Sequence, residues 1–465
     1  MRIVHLHPGA LNVGALALAG LLLCACASFA PRPLDDADVN AVLASPDRAA
    51  LMKQGAQLAH PRLAPVTLDF TKPLTADELA VVAVLANPDL RALRSQQQVA
   101  DAQVFASGLL PDPLLSLGVD QVLSPRGQGL SSAFAGTLTL DLLGALVTRD
   151  VERKIARSAA EQVRLDIAWQ EWLTAGQARL LAIRLPRQRM AAQIARQAAD
   201  VAEVALSRTL AVAARGDLKG DEVEARRIAA SDGRTRALAA ERDAETTALE
   251  LNRIVGLMPD EALTVADAPP LDEWRSPDPE ALFMTARTTR LDLQAFASGY
   301  DSQQAALHRA VLGQYPRLSI TLNRARDTSS VQTFGPAVAL DVPIWNRNRG
   351  AIAVAEATRT RLRSEFAARL HQTRADIANL VATLNRNEQS RAAVAAQLPE
   401  IERIAEGFEA AARRGDVSVS LAETARASAI DKRLAFLSLD QACAEERVAL
   451  ALAVGSPFTD SGTEP

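Results

Sequence analysis

The stretch "PLLSLGVDQV" occupies Pro113–Val122, and "PRLSITLNRA" occupies Pro316–Ala325. Leu115, Leu117 and Val119 alternate with small residues in the first. Leu318, Ile320 and Leu322 alternate with Ser319 and Thr321 in the second. Apolar residues at every second position give an extended chain one apolar face. A short polar loop follows each stretch, "SPRGQGLSS" or "RDTSSVQT", and then a return strand. The return strands alternate at Phe134, Gly136, Leu138, Leu140 and Leu142, and at Val338, Leu340 and Val342. Two hairpins are therefore expected, with strands at about 113–122 and 131–142 and at about 316–325 and 332–343. Strands of this length and period suit a membrane-spanning β-segment, and suit a soluble hairpin packed on a helix equally well.

The two hairpins belong to a longer repeat. Asp89-Leu90 recurs as Asp292-Leu293, and Leu115-Ser116 as Leu318-Ser319, both at an offset of 203. Leu140-Asp141 recurs as Leu340-Asp341 at an offset of 200. Arg215-Gly216-Asp217 recurs as Arg414-Gly415-Asp416, and Gly256 as Gly455, at an offset of 199. Landmarks that keep order and spacing this well mark an internal duplication. The copies span 75–257 and 283–456, joined by a Pro-rich linker at 258–282. A segment at 26–74 precedes them and a short tail, 457–465, follows.

Each copy opens with a helical segment. In the first, Thr75 and Glu78 have capping-box spacing, and Asn87-Pro88 should break the helix. After each hairpin comes a long helical hairpin, 147–256 or 350–455. The outgoing arm from Val147 to Ala213 would reach on the order of 100 Å at 1.5 Å per residue. Leu370, Ile377 and Leu384 repeat every seven residues, with Phe366 and Leu380 in the neighbouring seam. Ile430, Leu434, Leu437, Ala444 and Val448 follow on the return arm. These are antiparallel coiled-coil seams. Pro186 and Pro399 should interrupt and kink the outgoing arms. The expected fold class is mainly α with a small β part.

The bulk properties agree with a long helical object. The chain has 465 residues, net charge −4 and only 4 % aromatics. No global basic field points to nucleic acid. Residues 1–25 read as a lipoprotein signal peptide: Arg2, an apolar run from Leu11 to Leu23, and then Leu23-Cys24-Ala25-Cys26. The run is too short to span a bilayer. Cys26 is the expected lipidated residue; an ordinary signal cleaved near Ala30 is the other reading. The histidines are scattered without metal-ligand spacing, and no phosphate loop is visible, so no catalytic site, cofactor or metal site is expected. Cys443, on a coiled-coil helix, reads as a small buried hydrophobe.

Two further motifs carry a family resemblance. "GLLPDPLLSL" (Gly108–Leu117) enters the first strand, and "LDVPIWNRNRG" (Leu340–Gly350) leaves the last. With the duplicated pattern, they make the chain resemble the TolC-family outer-membrane efflux proteins; the Pro343–Gly350 run is similar to the heavy-metal, CzcC-like branch. The resemblance implies a lipid-anchored outer-membrane homotrimer, with a twelve-stranded β-barrel on an α-helical tunnel through the periplasm. It implies partners too: outer-membrane lipid, a periplasmic membrane-fusion adaptor and an inner-membrane RND-type pump. The implied function is a passive conduit for heavy-metal cations. Drug efflux and type I secretion share the fold. A lipid-anchored coiled-coil adaptor is a further alternative.

At the barrel-to-helix corner, Pro343 ends the strand, and Asn346, Asn348 and Gly350 tolerate irregular dihedrals before the helix starts. In the resembling family the two helical turns are periplasmic tips that close the tunnel. Arg215, Gly216, Asp217, Asp221 and Glu222 fall at the first tip, and Arg413, Arg414, Gly415, Asp416 and Glu423 at the second. Their carboxylates could ring a constriction, with arginine pairs between hairpins holding it shut. Alternatively, Asp217 and Asp416 only N-cap the return helices.

Overall fold

A computed structural model describes residues 29–121, 132–215, 220–267 and 269–457. They divide into two units, Met1–Ser45 and Pro46–Pro465. In the first unit, helix α1 (Asp36–Leu43) is capped by the Asp35 carboxylate, which accepts from the Asp38 N–H. The second unit begins with α2 (Arg48–Ala56) and then runs twice through one order. The first pass is α3 (Ala76–Ala86), α4 (Pro88–Ser107), β1 (Leu114–Asp120), β2 (Ala133–Leu140), α5 (Leu142–Ala213) and α6 (Gly220–Ile254). The second is α7 (Pro279–Thr289), α8 (Leu291–Leu312), β3 (Arg317–Arg326), β4 (Gln332–Asp341), α9 (Arg349–Arg414) and α10 (Val419–Val454).

Local chemistry sets the boundaries. The Thr75 hydroxyl accepts from the Glu78 N–H while the Glu78 carboxylate accepts from the Thr75 N–H, so α3 starts on a closed capping box. At the break between α3 and α4, Asn87 caps the second helix by accepting from the Leu90 N–H. Its amide also donates to the Ile254 carbonyl at the end of α6, 2.9 Å away. In the second copy Arg290 occupies the same place and donates to the Ala453 carbonyl at 3.0 Å. Asn87 and Arg290 are both buried. Different residues thus tie the paired short helices to the end of the return arm in each copy.

Those ends require glycine. Gly256 and Gly455 have φ of 69° and 74°. A Cβ on Gly256 would lie 2.5 Å from the Ala86 carbonyl oxygen, and one on Gly455 3.1 Å from the Arg290 Cα. Left-handed backbone and close approach coincide at both.

The core sits midway along the outgoing arms, α5 and α9, where the ends of the return arms, α6 and α10, come back to them. Leu79, Val82, Leu181, Leu185, Leu251 and Val255 pack together where α3, α5 and α6 meet. Ala286, Ile377, Val381, Leu384, Cys443 and Leu450 do the same for α7, α9 and α10. Burial at Ile377 and Leu384 agrees with the heptad reading. Farther out, α5 and α6 touch through Ala195, Ala199 and Ala237, small residues that let two backbones approach closely. The two prolines correct an expectation: α5 runs through Pro186 and α9 through Pro399 without interruption. Beside Pro186, which cannot donate an amide hydrogen, Arg187 sends its guanidinium back to the Ile183 carbonyl at 3.1 Å.

Candidate functional site

The four strands form one antiparallel sheet in the order β1-β2-β3-β4. Register assigns every side chain to a face, because directly paired residues share one. Leu115 opposes Leu138, Leu117 opposes Gly136 and Val119 opposes Phe134. Leu138 in turn opposes Leu322, and Leu140 opposes Ile320. Ile320 opposes Val338 and Leu318 opposes Leu340. One face is therefore apolar across all four strands up to its hairpin end, where Arg324, Arg326 and Gln332 stand on it. The other carries Ser116, Gly118, Thr137, Thr139, Ser319, Thr321, Asn323 and Ala337, all small or polar, with Leu114, opposite Thr139, as its one large apolar side chain. The apolar face is open: Leu117 is 65 % exposed, Phe334 74 % and Leu340 58 %. Both edges, β1 and β4, lack a partner strand among the described residues. No helix among them is long and apolar enough to cross a membrane.

The corner after β4 follows the expectation at Pro343, just past the strand's end, and at Asn348, and departs from it at Gly350. The Ile344 N–H donates to the Val342 carbonyl at 2.8 Å, making a tight turn centred on Pro343. Arg347 and Asn348 take the left-handed conformation, with φ of 46° and 54°. Gly350 does not; it lies in the first turn of α9 with open space around it. Asn346 contributes its carbonyl, which accepts from the Arg349 N–H. The Asn348 amide donates to the Ala310 carbonyl at 2.6 Å, pinning the corner to the end of α8. A Cβ on Gly313 would sit 2.5 Å from that amide nitrogen, so the glycine that makes room is one the motif did not include.

Of the tip residues, Gly216 and Asp217 lie outside the described residues, as does Cys26. Arg215 is exposed at the end of α5, and Asp221 and Glu222 are exposed in the first turn of α6, where carboxylates favour the positive end of the helix. At the second tip, Gly415 takes φ 81° and closes α9. The Asp416 N–H then bonds back to the Ala411 carbonyl at 3.0 Å and the Gly415 N–H to Ala412 at 3.1 Å. The capping expectation for Asp416 is corrected here. Its carboxylate pairs with Arg414 at 2.8 Å, and Ser418 caps α10 by accepting from the Leu421 N–H. Asp416 thus closes α9 with its amide and meets Arg414 with its carboxylate, and the return helix restarts from Ser418, two residues later. Arg413 is exposed beside this turn. Glu423 pairs with Arg226 on α6 of the other hairpin, and Asp431 pairs with Arg236 at 3.7 Å.

A larger charged cluster ties the hairpins together nearer the core. Arg184 and Arg187 on α5 reach Glu445 and Asp440 on α10, at 2.8 and 2.9 Å. Asp440 also takes Arg391 of α9, which bonds Glu388, and Glu388 accepts from Arg447. Burial raises the Glu446 carboxyl above its ordinary value and pushes the neighbouring Cys443 thiol up to about 12. That thiol is fully buried and stays protonated. No residue reading anticipated this cluster; each charge follows ordinary helix periodicity, and only the packing of one hairpin on the other pairs them. Among the described residues there is no group of three or more His, Cys, Asp or Glu that could hold a metal ion.

Residues 282–456 match the family model described as outer membrane efflux protein. The chain carries an outer membrane efflux protein domain. The match covers the second copy of the duplication. Solved structures show the same fold over both copies. The Campylobacter jejuni CmeC outer membrane channel is 16 % identical with a TM-score of 0.71, over 83 % of this chain and 87 % of its own. A membrane protein from Pseudomonas aeruginosa is 16 % identical with a TM-score of 0.68, over 86 % and 100 %. The outer membrane protein VceC from Vibrio cholerae is 17 % identical with a TM-score of 0.64, over 83 % and 97 %. No curated protein matches by sequence. The efflux-protein domain and the shared fold agree with the TolC-family resemblance carried by the strand-entry and corner motifs.

Proposed function

We propose that this chain is the outer-membrane channel of a tripartite efflux system. The observation that carries this reading is the two-faced sheet with open edges. An apolar face on all four strands suits lipid, and a small polar face suits a water-filled lumen. Unpaired edges do not survive in hydrocarbon, so copies must pair β1 with β4 until a barrel closes. Three copies would supply twelve strands, in line with the trimer that the TolC resemblance implies. The long arms of α5, α6, α9 and α10 then continue the conduit away from the membrane towards an adaptor and an inner-membrane pump. Lipidation at Cys26 would anchor each copy. Conduction needs positioned walls and no catalytic group. Mass measurement of the purified full-length chain in mild detergent tests the assembly: a trimer is expected, and a stable monomer that binds membranes would count against it.

For cargo we propose heavy-metal cations, on the similarity of Pro343–Gly350 to the heavy-metal branch. Organic compounds are the competing cargo. A strain lacking the gene should become sensitive to divalent or monovalent metal ions; sensitivity confined to organic toxins would assign the competing cargo. The acidic and basic residues at the tips, Asp221, Glu222, Arg413, Arg414, Asp416 and Glu423, are proposed to guard the far opening. The Arg226–Glu423 and Arg236–Asp431 pairs join the two hairpins there.

A further inference from the structure

We propose that Arg324 and Arg326 bind the phosphorylated headgroup of a membrane glycolipid at the outer rim of the sheet; this rests on the reading that the apolar face meets lipid. The two arginines stand on the apolar face of β3, roughly 7 Å apart along the strand. Arg324 lies between Gly136 and Phe334, and Arg326 between Phe134 and Gln332. Both are exposed. They sit at the hairpin end of the sheet, away from the strand ends that lead into the helices, and so in the distal leaflet.

Their charge is uncompensated on that face. The strand acids Asp120 and Asp341 lie on the opposite face. Asp327, in the adjoining turn, uses its carboxylate on the Ser329 and Val331 amides. Arg326 donates to the Ser330 hydroxyl, and Arg324 forms no ion pair among the described residues. An arginine on a lipid-facing strand is costly unless its head reaches an anionic interface. Two neighbouring guanidiniums match a phosphate monoester bidentately. The apolar rows beneath them, Leu322 with Leu138 and Ile320 with Val338, offer a surface for acyl chains, and Phe134 and Phe334 flank the headgroup level. Free phosphate would gain nothing from that apolar surface.

The test uses full-length protein in phosphatidylethanolamine vesicles doped with bisphosphorylated lipid A or with its dephosphorylated form. Flotation reports insertion, and mass spectrometry reports retained glycolipid. Wild type should retain the phosphorylated form about tenfold over the other. The Arg324→Gln/Arg326→Gln variant should float yet lose the preference, and Arg324→Lys/Arg326→Lys should keep part of it. Equal retention of both glycolipids by wild type, or an unchanged preference in the Gln variant, would overturn the proposal. So would loss of the preference on adding inorganic phosphate at the same concentration. If the Gln variant does not insert, the wild-type comparison decides alone. Failure of wild type itself to float would instead overturn the membrane reading, and this proposal with it.

Discussion

Gly256 and Gly455 set the strictest residue-level conditions in the fold. Both combine positive φ with backbone packed against the missing side chain. Gly415 has the same φ sign but open space around it, and Gly350 has neither constraint. Alanine at Gly256 should therefore lower stability by about 2 kcal/mol or more, at Gly415 by about 1 kcal/mol, and at Gly350 hardly at all. A thermal-melt series of the three variants checks the ranking. His60 provides a pH-dependent counterpart. Its Nδ1 accepts from the Arg62 N–H at 3.0 Å, so Nε2 carries the proton and donates to the Ala168 carbonyl at 3.1 Å. Burial first of all lowers its pKa below the ordinary 6.5. The folded state thus holds the neutral ring, and the stabilising contribution is complete above pH 6.5 and lost as pH falls through the lowered value. His60→Gln should flatten the fall in Tm between pH 7 and pH 5; an unchanged slope would remove His60 from the acid response. Glycine at 256 and 455 was visible in the repeat. The role of His60 was not, because its partners are 2 and 108 residues away in sequence.

At the scale of elements, the strands were legible because the side-chain period of two survives in any surrounding. The same pattern could not tell lipid from a packed helix; the register adds that the apolar positions of four strands form one face, and that face is exposed. Leu138→Arg should block membrane insertion at a cost of about 2–4 kcal/mol, whereas Thr137→Arg on the opposite face should insert and narrow the proposed pore. Equal insertion of the two would mean that the faces are assigned wrongly. The tip was harder to read. Asp416 and Ser418 are both good N-caps two residues apart, and in the fold the Asp416 carboxylate is taken by Arg414 while Ser418 caps the helix. Ser418→Ala should speed hydrogen exchange at the Leu421 amide several-fold, while Asp416→Ala should leave it unchanged. The corner shows the same limit: the motif located the reversal and its left-handed Asn348, but the close approach falls on Gly313, outside the motif, and not on Gly350.

For the whole molecule, duplication is what the sequence makes plainest, and it predicts equivalent hairpins without saying how they meet. Their meeting depends on charges such as Arg187 with Asp440 and Arg226 with Glu423, whose partners lie on helices far apart in the chain. Cutting the tip ties with Arg226→Ala and Arg236→Ala should widen the proposed opening and raise conductance, while Arg187→Ala should chiefly lower Tm, because it leaves Asp440 in a partly buried position with one arginine fewer. The proposed function requires that copies of this four-stranded sheet close into a pore. It is tested most directly by single-channel recording of the purified full-length protein in planar bilayers. Stepwise ohmic conductance that Thr137→Arg reduces and Leu138→Arg abolishes is the predicted result. Absence of steps from wild-type protein, or steps that neither substitution changes, would contradict it.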